Sequence, residues 1–339
     1  MIIVIKPNTT KEQIEFITEK LTSYGYKLNV STGVERTIIG AIGDENAVRD
    51  KPIKSFPGVE EVIPILKPYK LVSRDFKKDD TVIEVKGVKI GGKELAVMAG
   101  PCSIENYEMI REVARRVSAR GSRILRGGAY KPRTSPYSFQ GMGPKALEYM
   151  RKAADEFNMV MVTEITDPRD LDIVSEYADI LQIGARNMQN FRLLHEVGRQ
   201  EKPILLKRGM SATIKEFLLA AEHIAKEGNR NIILCERGIR TFETETRNTL
   251  DLSCIPIIKS VSHLPVIADP SHGTGKKVCI GPMSQATVAS GADGLMIEVH
   301  TCPEEALSDG DQSLTPDEYC DIMDKVEIIA GAVGRTIAK

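Results

Sequence analysis

From about residue 95 onward, short apolar runs alternate with longer segments of helical periodicity, and this rhythm limits the folds open to the chain more than any other feature. The runs are LAVMAG (95–100), RILRGG (123–128), MVMVTEI (159–165), ILQIGA (180–185), PILLKR (203–208), NIILCER (231–237), PVIADP (265–270) and GLMIEVH (294–300). Strands that are apolar along their whole length suit a parallel sheet covered on its outer face by helices. The helical segments have the matching character. In TIKEFLLAAEHIAKEG, Ile214, Phe217, Leu218, Ala221, Ile224 and Ala225 form one face, Thr213 and Glu216 make a capping box, and Gly228 supplies the stop. Eight such units predict a closed parallel (β/α)₈ barrel over residues 95–339. An open doubly wound sheet is the alternative, but no GxGxxG opens the first unit, and eight evenly spaced strands favour closure.

The first 70 residues follow a different order: strand (IIVIK), helix (TKEQIEFITEKLTSYG), strand (YKLNVS), strand (RTIIGAIG), helix (NAVRDKPIKSF), strand (VEEVIPIL). That is the split βαβ, ferredoxin-like arrangement of a small α+β domain. Ile14, Ile17 and Leu21 give its first helix an apolar stripe, and Gly25 ends it. Residues 71–94, which include the charge-rich SRDFKKDD, read as a connector.

Composition removes several classes of function. The longest apolar runs fall short of the roughly 18 residues of a membrane span, and the N-terminus lacks a basic segment followed by a signal-type apolar run. A cytoplasmic address is the expectation. The six cysteines are dispersed, with no CxxC pair, so reduced thiols are expected rather than a disulfide framework. A formal net charge of −1 gives no support for nucleic acid or acidic membranes as partners. Any anion site must be local.

Such a site has candidates at the strand ends, where the chemistry of a parallel barrel collects because the βα loops converge there. The ends carry Cys102, Arg126, Glu164, Arg186, Lys207 with Arg208, Glu236 with Arg237, Asp269 with His272, and Glu298 with His300. Each alone reads equally well as a solvated strand end or a rim ion pair. Together, Arg126, Lys131, Arg133, Arg186, Lys207 and Arg237 concentrate like charge, which points to a substrate bearing phosphate and carboxylate groups. Cys102, His272, Glu298 and Asp309 offer thiolate, imidazole and carboxylates, a set that suits Mn, Fe, Co or Zn better than Mg or Ca. The same residues also have bland readings, Cys102 as a packed thiol and His272 as a loop brace. Among the other histidines, His300 shares a strand face with Glu298 and serves either as support or as packing. His195, His223 and His263 have no such placement.

The segments AGPCS (99–103), LRGGAYKPRTSPYSFQG (125–141), IGARNMQNF (183–191), LLKRG (205–209), ILCERGIRT (233–241), ADPSHGTG (268–275) and IEVH (297–300) closely resemble 3-deoxy-D-arabino-heptulosonate 7-phosphate synthases. With the domain in front, the chain resembles the subgroup that carries a small N-terminal regulatory domain. The resemblance implies that Cys102, His272, Glu298 and Asp309 ligate a divalent metal. It implies that Arg126, Lys131, Arg186, Lys207 and Arg237 hold phosphoenolpyruvate, and that Lys131, Pro132, Arg133 and Thr134 belong to the erythrose 4-phosphate subsite. Lys131, Glu164, Asp269 and His272 are expected to contribute to catalysis or positioning. A homotetramer, and a tyrosine or phenylalanine effector on residues 1–70, are further expectations of the family. Within that domain, Ser31 in VSTGVERT is the candidate effector contact, although an ordinary turn needs the same residues. Two rivals remain. One is the sister synthase making 3-deoxy-D-manno-octulosonate 8-phosphate, which typically has KANR where this chain has KPRT. The other is a non-catalytic sensor of phosphorylated metabolites.

Overall fold

The computed structural model describes residues 1–33, 36–43, 51–63, 68–131 and 135–337. It divides into two units, Met1–Pro68 and Tyr69–Lys339. In the first unit, β1 (Ile2–Ile5), β2 (Lys27–Thr32), β3 (Thr37–Ile42) and β4 (Val59–Ile63) form an antiparallel sheet in the order β2-β3-β1-β4. Helix α1 (Lys11–Ser23) starts at a Thr10–Gln13 capping box, and its Ile17 and Leu21 are buried with Ile3, Ile5, Ile39 and Ala41. Gly25, just past the helix, has φ 89°, a conformation that favours glycine. The first five residues of the expected second helix (NAVRDKPIKSF) lie outside the described residues; the rest forms only a 3₁₀ turn, Ile53–Ser55.

The second unit carries the predicted barrel. Its hairpin β5 (Ile83–Val85) and β6 (Val88–Ile90) precedes eight parallel strands: β7 (Glu94–Gly100), β8 (Ile124–Arg126), β9 (Val160–Ile165), β10 (Ile180–Ile183), β11 (Ile204–Lys207), β12 (Ile232–Glu236), β13 (Val266–Ala268) and β14 (Gly294–Glu298). Successive strands pair, and β14 pairs back onto β7, closing the sheet. The short β15 (Thr336–Ile337) adds beside the start of β7. The helices are α2 (Tyr107–Ser118), α3 (Pro144–Glu156), α4 (Leu171–Tyr177), α5 (Phe191–Gly198), α6 (Ile214–Lys226), α7 (Cys254–Val261), α8 (Pro270–Thr274), α9 (Lys277–Ala289) and α10 (Pro316–Ala332). In α6 the predicted capping box is present, and Phe217, Leu218, Ala221, Ile224 and Ala225 are buried against the sheet. Burying a side chain the size of Phe217 contributes roughly 1.5–3 kcal/mol.

Side-chain parity divides the strand residues between two cores. Leu125, Met161, Leu181, Leu206, Leu234 and Ile297 face outward under the helices. Met98, Ile124, Val162, Ile180, Leu205, Cys235, Ile267 and Met296 face inward, and Ile83, Val88 and Ile90 of the hairpin join them. The hairpin therefore floors the barrel at its N-terminal end.

The segment expected as a connector is part of the barrel unit. Tyr69 and Val72 are buried in the outer core. The backbone N–H groups of Lys70, Leu71 and Val72 donate to the Glu222 carboxylate on α6 at 2.9, 3.0 and 3.1 Å. Ser262 Oγ donates to Val72 O at 2.6 Å, and His263 lies 2.9 Å from Leu71 O and 2.8 Å from Thr81 Oγ1. Its high charge is compatible with tight attachment because main-chain groups make most of these bonds.

Candidate active site

The inward ladder continues past the apolar rungs into the site. Because side chains alternate along a strand, Ile124 is followed on the same face by Arg126, Val162 by Glu164, Ile180 by Gln182, Leu205 by Lys207, Cys235 by Arg237, Ile267 by Asp269 and Met296 by Glu298. The segments beyond the strand ends add Cys102, Lys131, Arg186, Asp309 and, from α8, His272. One cavity is lined by Cys102, Arg126, Lys131, Glu164, Arg186, Lys207, Arg237, His272 and Asp309, with Asp269 and Glu298 fully buried at its base. Pro132, Arg133 and Thr134 lie outside the described residues, and Ser31 belongs to the other unit, exposed in β2 opposite Ile38.

Two strand-end charges do not join. Arg208 and Glu236 have the opposite parity and point away from the cavity, where they pair with each other at 2.9 Å. Arg208 also reaches Asp251 at 2.8 Å. The expectation that the charged strand ends share one rim is corrected here: parity, not rim position alone, decides which charges enter the site. The remaining histidines are structural. His195 and His223 approach each other at 3.1 Å between α5 and α6. His300 accepts from the Cys302 N–H through Nδ1 at 3.0 Å.

Cys102, His272, Glu298 and Asp309 bring their ligand atoms within 4.8 Å of one another. Asp309 has φ 52°, a left-handed conformation that aspartate tolerates better than most residues. Its Oδ2 lies 3.0 Å from Cys102 Sγ, and His272 Nε2 is 3.3 Å from Glu298 Oε1. Burial, then the charge of Glu298, push the Cys102 thiol up to about 12, with Asp309 adding to the effect. Burial opposes ionisation of Asp309, yet His272, the Cys102 hydrogen bond and Arg247 hold it down at about 2. Burial lowers the His272 value despite Asp269 and Glu298, which favours a neutral imidazole. Asp269 accepts from His272 Nδ1 at 2.8 Å, which leaves Nε2 toward the other donors. A divalent cation relieves the repulsion among these groups and stabilises the Cys102 thiolate, so the residues present fit the metal that the family implies.

The cationic side has equally specific geometry. Arg126 donates to Glu298 Oε1 at 2.8 Å and to Pro101 O at 2.7 Å. Lys207 Nζ sits 2.6 Å from Asp269 Oδ2, and Lys131 Nζ donates to Cys102 Sγ at 3.1 Å. Arg237 is buried, and its Nη1 has no hydrogen-bond partner among the described residues. Burial lowers its pKa, with Arg247 nearby adding to the effect. A buried guanidinium nitrogen without a partner is costly unless an anion meets it. Gly184 lets Glu164 occupy its place, since a Cβ there would fall 2.0 Å from Glu164 Oε1.

Sequence reasoning missed Gln182, Arg247 and Gln312. Gln182 hydrogen-bonds Glu164 at 3.4 Å and was recoverable from the parity of β10. Arg247 and Gln312 stand on loops, where no periodicity marks them.

A parallel barrel whose open end sets a possible four-donor metal site against a wall of cations has the layout of an enzyme for anionic substrates. Residues 78–330 match the DAHP synthetase I family, and residues 1–67 match the DAHP synthase ferredoxin-like domain. The chain is 54% identical over 334 residues to the phospho-2-dehydro-3-deoxyheptonate aldolase of Thermotoga maritima, covering 98% of this chain and 99% of that one. A crystal structure of the Thermotoga maritima enzyme superposes with a TM-score of 0.96 at 53% identity, covering 99% of this chain and 98% of the other. A 2-dehydro-3-deoxyphosphooctonate aldolase of Geobacter sulfurreducens is 30% identical over 270 residues, covering 74% of this chain and 98% of its own. The chain belongs to the DAHP synthetase I family and is a 3-deoxy-D-arabino-heptulosonate 7-phosphate synthase, acting at the first step of the shikimate pathway.

Proposed function

We propose that the cavity joins C3 of phosphoenolpyruvate to the aldehyde carbon of erythrose 4-phosphate, with water adding at C2 and inorganic phosphate leaving, through two substrate subsites. The observation that carries this reading is the shared cavity, in which the metal donors face the cation wall. Arg186, Lys207 and Arg237 hold the phosphate of phosphoenolpyruvate; the buried, unpartnered Arg237 Nη1 supports this assignment. Arg126 and Lys131 hold its carboxylate. Pro132, Arg133 and Thr134 serve the sugar phosphate, as the family motif implies. Offsetting the repulsion of two polyanions lets their encounter become an oriented, effectively unimolecular step.

Cys102, His272, Glu298 and Asp309 would hold a divalent ion of the Mn, Fe, Co or Zn class, which would supply Lewis acidity toward the aldehyde. Asp269 fixes both the His272 ring and the Lys207 ammonium. Lys131 and Glu164, in the cavity wall, serve catalysis or substrate positioning. Residues 1–70 act as a regulatory domain for tyrosine or phenylalanine, with Ser31 on the edge strand as a contact; the match to the family's ferredoxin-like domain supports this. A coupling of about 1–3 kcal/mol would give regulation of roughly 5-fold to 150-fold. The assembly is a homotetramer. The address is cytoplasmic, consistent with six free cysteines and with no helix among the described residues long and apolar enough to cross a membrane.

Incubation with Mn²⁺, phosphoenolpyruvate and either erythrose 4-phosphate or arabinose 5-phosphate, reading phosphate release, tests the reaction. Release with the four-carbon sugar is expected. Release only with arabinose 5-phosphate would assign the octulosonate reaction instead, and none with either would favour the sensor.

A further inference from the structure

The loop after β12 and the loop after β14 meet beside the metal donors. Arg247 is pinned there by its own backbone, which donates to Thr274 O at 2.8 Å, and its Cβ packs where Gly275, at φ 66°, leaves no room for a side chain. The neighbouring Asn248 Nδ2 donates to His272 O at 3.1 Å. From this position Arg247 Nη1 donates to Asp309 Oδ1 at 3.2 Å and to Gln312 Oε1 at 3.0 Å. Gln312 is 3% exposed, and its Nε2 donates to Glu298 Oε2. Because Gln312 Oε1 is turned to the guanidinium, its NH₂ must face the carboxylate.

The oxygens used are the distal ones. Asp309 Oδ2 faces Cys102, whereas Arg247 takes Oδ1. Glu298 Oε1 faces His272, whereas Gln312 takes Oε2. One continuous chain, Asp309–Arg247–Gln312–Glu298, therefore holds the outer oxygen of each carboxylate, while the inner oxygens face the other donors, Glu298 Oε1 also accepting from Arg126.

We propose that Arg247 and Gln312 are positioning residues for the metal, setting the rotation of both carboxylate ligands through this bridge. The inference rests on reading the four donors as a metal site. Groups that orient ligands from behind affect metal affinity by roughly 10-fold to 100-fold. Arg247 reaches Glu298 through Gln312, so the two contributions are coupled. Its placement on the β12–α7 loop also ties the conformation of that loop to the metal site.

Metal-free full-length protein, Arg247→Ala, Gln312→Met and the double variant would be titrated with Co²⁺ against a competing chelator, following the thiolate-to-cobalt charge-transfer band. Metal-free melting temperatures monitor folding. Each single change is expected to weaken Co²⁺ binding by roughly 10-fold to 100-fold, and the double change by less than the product of the two. Arg247→Ala, at a partly exposed site, tests the idea even if Gln312→Met does not fold. Unchanged cobalt affinity and band in Arg247→Ala would overturn the proposal, as would a fully multiplicative double variant. A wild-type protein that develops no cobalt band at all would instead overturn the metal reading, and the inference with it.

Discussion

Replacing Arg208 by Met tests whether the outward-facing charges form scaffold rather than site. The Arg208 guanidinium sits 2.9 Å from Glu236 and 2.8 Å from Asp251, and its Nε donates to Ala212 O at 3.0 Å. The side chains of Arg208 and Glu236 are 5% and 0% exposed. Burial disfavours the guanidinium charge, but Asp251 and Glu236 outweigh it and raise the Arg208 pKa. Methionine keeps the apolar stem and removes the guanidinium, leaving a buried carboxylate whose remaining polar contacts include the Gly238 N–H at 2.6 Å and the Asp251 N–H at 3.3 Å. Breaking one side of a buried pair costs about 3–5 kcal/mol. At about 2–4 °C per kcal/mol for a domain approaching this size, the melting temperature should fall by roughly 6–20 °C. Calorimetry at a fixed scan rate measures the loss, and steady-state kinetics should show a raised KM for phosphoenolpyruvate because Arg237 follows Glu236 directly. A melting temperature within about 2 °C of wild type would refute the reasoning.

Three further outcomes are expected. The His263 pKa is lowered by burial, with Lys77 and Arg74 adding to the effect against the hydrogen bond to Leu71, so its contribution to stability is complete above the unfolded value of 6.5 and is lost as pH falls through the lower folded value. Melting profiles should decline below about pH 6.5, and His263→Gln should flatten that part of the decline. A chain beginning at Tyr69 should keep catalysis and lose tyrosine and phenylalanine sensitivity, whereas one beginning at Val82 should melt lower because the amides held by Glu222 are gone; unchanged inhibition in the Tyr69 chain would place the effector site in the barrel. Lys207→Ala should raise KM more for phosphoenolpyruvate and Arg133→Ala more for erythrose 4-phosphate, with binding losses of about 2–5 kcal/mol; equal effects on both substrates would remove the two-subsite division.

Much of this was legible because apolar strands and amphipathic helices are local patterns. Leu205–Lys207 and Cys235–Arg237 could be assigned inward by counting in twos, and the same count separates Arg208 and Glu236 from the site. Cys102 and Asp309 on loops and His272 on the short α8 all stand beyond the strand ends, so their convergence depends on tertiary geometry, and motif resemblance rather than spacing identified them. The attachment of residues 69–81 was hidden for another reason. Glu222 holds backbone amides, and a main-chain donor leaves no signature in the residues that supply it. Arg247 and Gln312 combine both difficulties, being loop residues whose contacts fall on the far side of their partners.

The floored barrel turns the site into a well with one mouth. Ile83, Val88 and Ile90 close the opposite end, and the rungs above them are filled by side chains. Arg126, Lys207 and Arg237 are all at most 5% exposed, whereas Arg186 is exposed near the opening. A molecule held by the deep cations would have to arrive before one that settles above it, and would leave only after it. On the proposed subsites, depth would set the order of arrival: phosphoenolpyruvate first, the aldose phosphate second, and release back through the same opening.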